Sequence, residues 1–163
     1  MVAKQGWPEI EKLPAEQRAH IAAEHVVVND RYRTEFIATM VANIGGKDIP
    51  PRLEKRFESM YAAQCAKDDT MAESIRDYLD RNPGKKIVHY NGKFHSDEHL
   101  GTAQKLAWLN EKLKVGVVSI QPIDSDNIMK QMPEKDKKLG DFIIYCRRFS
   151  NSDSSPRSGM FKD

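Results

Sequence analysis

Apolar residues recur at steps of three and four through much of the first eighty positions. Tyr32, Phe36, Ile37, Met40, Val41 and Ile44 mark one helix face, with Asn29-Asp30 offering an N-cap and Gly45-Gly46 closing the C-terminal end. From Arg52 to Arg81 the same spacing links Leu53, Phe57, Met60, Tyr61, Cys65, Met71, Ala72, Ile75 and Leu79. This reads as one long helix or two nearly collinear ones, ended by Asn82-Pro83-Gly84. The pattern then changes. Ile87–Tyr90 is a short apolar run that predicts a strand, Asn91-Gly92 a tight turn, and residues from about Asp97 to Leu113 a helix facing inward through Leu100, Ala103, Leu106, Ala107 and Trp108. Val115–Ile120 predicts a second strand and Asp141–Cys146 a third, at an edge or antiparallel. Upstream, Ala15–Glu24 is polar and helical, whereas His25–Val28 is too short to assign.

This order predicts an α/β fold: a short, mostly parallel sheet of about three strands flanked by long helices. The first two strands would be joined by a right-handed crossover. With 163 residues the chain fits a single domain, drawn at 1–149, with the Ser-rich stretch 150–163 as a disordered tail. The run from Pro122 to Gly140 is polar, with Pro133–Lys138 a solvated connector.

Charge narrows the function classes. The 26 basic and 24 acidic residues leave a net charge of +2, without a basic stripe or interleaved aromatics, which argues against nucleic acid as a partner. No apolar run approaches the roughly 20 residues that span a bilayer. The N-terminal residues show no signal-peptide core, which leaves a cytoplasmic location open. Cys65 and Cys146 are far apart and form no Cys-x-x-Cys motif, so zinc-ribbon and thioredoxin-type chemistry are excluded; two buried free thiols are expected, with a single disulfide as the alternative.

Two places carry candidate chemistry. His95 falls where the predicted strand meets the next helix, the position at which open α/β sheets hold ligands. Gly92 supplies the turn through a positive φ, Asn91 precedes it, and Ser96 or Asp97 caps the helix, favouring an anion beside His95. His95 can serve as base, metal ligand or haem ligand, or it can simply hydrogen-bond the turn. The second place is Asp68. In an unbroken helix it shares a direction with Tyr61 and Ile75, seven residues to either side, and a carboxylate on that stripe must be paired, metal-bound or protonated. Alternatively the helix breaks here, and Thr70 with Glu73 forms a capping box. His89 reads as a satisfied core residue, and His20 and His25 carry no pattern.

The block from Ala63 to Ile75 and the block from Val88 to Gly101 (His-Tyr-Asn-Gly-Lys-Phe-His-Ser) together resemble the ChaN-like haem-binding uptake family of the Tiki, TraB and erythromycin-esterase-like superfamily. A Gly-Glu-x-His motif that opens fuller members is absent, so the chain looks like the C-terminal half of that fold: a fragment, a half completed by a partner chain or a second copy, or a degenerate member. The resemblance implies a haem- or iron-binding protein of the bacterial cell envelope, periplasmic or lipid-anchored, with a haem or iron-containing ligand held near His95, Asn91, Gly92, Ser96 and Asp68. The alternative it implies is a divalent-metal hydrolase in which His95 and Asp68 act as ligand or base. A third alternative is a non-catalytic interaction half-domain.

Overall fold

A computed structural model describes residues 8–45, 49–123 and 133–147. Two short helical turns, α1 (Pro8–Glu11) and α2 (Ala15–Arg18), lead to α3 (Arg31–Asn43) and the long α4 (Pro51–Arg81). Two 3-10 turns, Lys93–His95 and Asp97–His99, then precede α5 (Thr102–Leu109). Strands β1 (Val118–Ile123) and β2 (Phe142–Arg147) complete the described chain, with a 3-10 turn at Glu134–Asp136 between them.

The long helix is unbroken, which removes the capping-box alternative at Thr70. The Thr70 hydroxyl instead donates to Ala66 O within the helix and accepts from Ala22 N, while Glu73 accepts from Ala23 N. One stripe of α4 is buried: Phe57, Tyr61, Gln64, Cys65, Asp68 and Ala72, at the spacing that a helix face demands. Tyr32 and Phe36 of α3 close over it, with Tyr32 edge-on to Tyr61. Asp30 caps α3 as expected, accepting from Tyr32 N at 2.8 Å through one oxygen. Its other oxygen accepts from Gln104 at 2.7 Å, which ties α3 to α5.

Several expected elements differ. Residues Ile87–Tyr90 form no strand: among the described residues no backbone hydrogen bond reaches Lys86–Asn91, and Val88 and Tyr90 are 78% and 87% exposed. An apolar run becomes a strand only where another strand lies alongside, and here the segment runs without one. The predicted crossover between the first two strands therefore does not form. The helix after it starts at Thr102 rather than Asp97, because Glu98, His99 and Gly101 take left-handed φ values of 61°, 58° and 57° that no α-helix admits. The sheet has two strands among the described residues, and they pair in parallel from Val118↔Phe142 to Ile123↔Arg147, so β2 is not antiparallel. The mixed α/β character and the parallel pairing agree with expectation; the tail 150–163 lies outside the described residues. Cys65 is buried as expected, but Cys146 is exposed, and both thiols are free.

Candidate functional site

Asp68 sits at the centre of the helical core with no solvent exposure. Three donors converge on it: His95 Nδ1 at 2.8 Å and Thr102 Oγ1 at 2.7 Å meet Oδ1, and the Tyr32 hydroxyl meets Oδ2 at 2.7 Å. Gln64, one turn before Asp68 on the same face, donates to the Tyr32 hydroxyl at 3.1 Å and lies 3.1 Å from His95 Nδ1. Burial and the facing Asp68 carboxylate push the Tyr32 phenol well above its ordinary range, so it stays a donor. A buried carboxylate is costly unless its lone pairs are met, and here α3, the turn and α5 each supply a donor, Tyr32, His95 and Thr102.

The backbone is shaped to allow this. Gly101 combines φ 57° with ψ −123°, and a Cβ there would stand 2.8 Å from His95 O, 3.0 Å from the Tyr32 hydroxyl and 3.1 Å from Asp68 Oδ1. Only glycine lets the chain pass this close and still deliver Thr102 to the carboxylate. The connector is fastened outward as well. Asp97 accepts from Ser119 Oγ at 2.7 Å, Glu98 N donates to Leu139 O at 2.8 Å, and His99 Nε2 lies 3.2 Å from Asp141. Asp141 in turn accepts from Val117 N at 2.7 Å, and that backbone N–H draws its carboxyl below the usual range.

Of the residues singled out in the sequence, Asp68 and His95 come together in one hydrogen-bonded pair. Asn91 and Ser96 bond each other, Ser96 Oγ donating to Asn91 Oδ1 at 3.0 Å. Neither Ser96 nor Asp97 caps a helix through its side chain; Asp97 is turned toward β1 instead. Gly92 has φ −68°, so it does not use the left-handed freedom expected of it; its carbonyl accepts from His95 N at 2.8 Å. His89 is exposed beside Met71, its Nε2 3.3 Å from the sulfur, and is not a core residue. Tyr32, Gln64, Gly101 and Thr102 were not anticipated as site residues. The Gln64–Asp68 spacing of one helical turn was the available signal for Gln64.

A second buried ion pair lies beside the first. Lys105 of α5 pairs with Asp69, and its ammonium also donates to Val26 O at 2.6 Å. Val26 N donates to Asp69 Oδ2 at 3.0 Å, and His25 Nδ1 lies 3.6 Å from the same oxygen. Among the described residues, no three His, Cys, Asp or Glu side chains converge as a metal site, so His95 and Asp68 gain no further ligand of that kind there. Nor is any helix among them long and apolar enough to cross a membrane.

Fold and site together define an α/β protein in which one long helix buries a carboxylate that holds an imidazole. The family described as haem-binding uptake, Tiki superfamily, ChaN, matches residues 1–106, and the chain belongs to it. The match takes in the N-terminal part of the chain, and both blocks that carry the resemblance, Ala63–Ile75 and Val88–Gly101, lie within it. It contains α1 to α4, the whole Asp68 cluster and the start of α5; β1 and β2 fall outside. No curated protein and no solved structure matches the chain.

Proposed function

We propose that this protein binds haem for uptake at the cell envelope, with His95 as an iron ligand. The observation that carries this reading is the 2.8 Å contact of His95 Nδ1 with the fully buried Asp68. A carboxylate facing Nδ1 makes that nitrogen the donor, which leaves the lone pair on Nε2, where the Gln64 amide nitrogen 3.3 Å away is the group an incoming iron would displace. The ring is fixed in orientation and retains 16% side-chain exposure, as a ligand that must meet an incoming group requires. Imidazole is a common axial ligand of haem iron, and a carboxylate behind it raises its basicity. Haem would supply the redox-active iron centre and a large apolar face; this chain's part is to present the nitrogen and to hold its tautomer.

The experiment is a haem titration followed by Soret absorption, wild type beside His95→Ala. The expected result is saturable binding with one equivalent lost in the variant. Superimposable curves would overturn the assignment of His95. Asp68→Asn retains the shape of the site but weakens the hold on Nδ1, and should lower affinity by about 10- to 100-fold.

A further inference from the structure

Between α4 and the His95 turn the chain runs like a strand, but among the described residues no other strand lies alongside it. From Lys85 to Gly92 the backbone makes no turn or bend and takes no positive φ. Among the described residues, the backbone N–H and carbonyl groups of Lys86–Asn91 find no backbone partner. A row of exposed, unpaired groups of this kind is a template for another strand. Val88 and Tyr90 hold their apolar side chains in solvent. Ile87 instead lines an open groove of about 520 Å³ with Met71, Ile75 and Tyr78 of α4. His89 Nε2, 3.3 Å from Met71 Sδ, keeps the segment against the helix. Charge decides what can pair there. Lys85 and Lys86 precede the segment, Lys93 follows it, and no acid occurs from Lys85 to His95. A second copy laid antiparallel on the same residues would bring Lys85 and Lys86 toward its Lys93, whereas acidic residues would be attracted at both ends.

We propose that Lys86–Asn91 is a docking strand for an extended segment of another protein, with alternating apolar side chains between acidic ends. The unpaired main-chain groups supply the hydrogen bonds of strand addition, and side chains on the Ile87 face enter the α4 groove. The His89–Met71 contact holds the segment in place before a partner arrives, so less ordering is left to binding. The lysines set the partner's charge and keep two copies of this chain apart. The docking strand is independent of haem and of His95.

The test measures binding of the full chain to two labelled, end-blocked peptides by fluorescence anisotropy at low salt. Both alternate valine and threonine; one carries glutamates at its ends, the other lysines. Val88→Pro and His89→Pro are compared with wild type, because each removes an N–H from a different edge of the segment. Neither N–H meets a backbone partner among the described residues, so both variants should retain the fold, which circular dichroism checks. The expected result is saturable binding of the acidic peptide, about 10-fold weaker for the lysine peptide and for one of the two proline variants. Lys85→Glu/Lys86→Glu should reverse the preference between the peptides. No saturable binding, equal binding of both peptides, or wild-type binding by both proline variants would overturn the docking strand. So would sedimentation of the protein alone as a dimer that Val88→Pro or His89→Pro disperses, since a second copy would then occupy it.

Discussion

The middle of α4 and the β1–β2 sheet are opposites in how they treat polar and apolar groups. Around Asp68 a charged group is fully buried, and every neighbour turned toward it donates a hydrogen bond. On the sheet, Val118, Ile120, Phe142 and Ile144 lie on one face of paired strands and stay open to solvent, Phe142 at 68%. Parallel sheets are ordinarily covered on both faces. The first region lies inside the stretch that matches the haem-binding uptake family and the second lies outside it. A site held from four elements is one whose geometry the fold dictates; a two-strand sheet with a bare face contributes little to that geometry.

Breaking the first region should therefore cost far more than altering the second. Asp68→Ala takes away the carboxylate that Thr102 and His95 meet and leaves the Tyr32 hydroxyl only Phe94 O to donate to, and is expected to lower unfolding free energy by about 3 kcal/mol. Gly101→Ala meets both a left-handed φ and a 2.8 Å approach to His95 O, and should cost a similar amount. Urea denaturation measures both, and a change below about 1 kcal/mol for either would mean that the cluster is not over-determined.

On the sheet, Phe142→Ser and Ile144→Ser should each shift the same urea midpoint by less than about 1 kcal/mol, because neither side chain leaves a buried site. A large loss would show that this face is covered in solution.

The smallest effect expected is a pH dependence beside the first region. Burial holds the His25 imidazole below its ordinary 6.5, against the opposing pull of Asp69. The folded state then binds its proton less readily than the unfolded chain. Stability from this group is full above pH 6.5 and is lost as pH falls through the lower folded value. Thermal melts between pH 7 and pH 5 should show a decline that His25→Gln flattens, and an unchanged slope in that variant would assign the decline elsewhere.

The same contrast explains which parts could be read in the sequence. Asp68 was legible because helical periodicity placed a carboxylate on an apolar stripe, and an unsatisfied acid is not tolerated there. His95 was singled out as the junction of a strand and a helix, but that strand does not form and the residue stands in a 3-10 turn, held instead by Asp68. Their partners were not legible: Tyr32 is 36 residues from Asp68 and Thr102 is 34 away, and each looks locally like an ordinary helix residue. Gly101 gave no local sign that a carbonyl and a carboxylate would crowd its Cα. Strand formation at Ile87–Tyr90 failed for a related reason, since an apolar run specifies burial or pairing only if a neighbour arrives. Its exposure is what leaves the α4 groove open.

The central claim is that His95 supplies a ligand to haem iron because Asp68 holds its other nitrogen. His95→Gly removes the imidazole and leaves a gap of its shape, so added free imidazole should restore the wild-type Soret position in the haem-loaded variant. Restoration, absent when the same imidazole is added to Asp68→Asn/His95→Gly, is the result this account predicts. A His95→Gly spectrum already identical to wild type, with nothing for imidazole to restore, would contradict it.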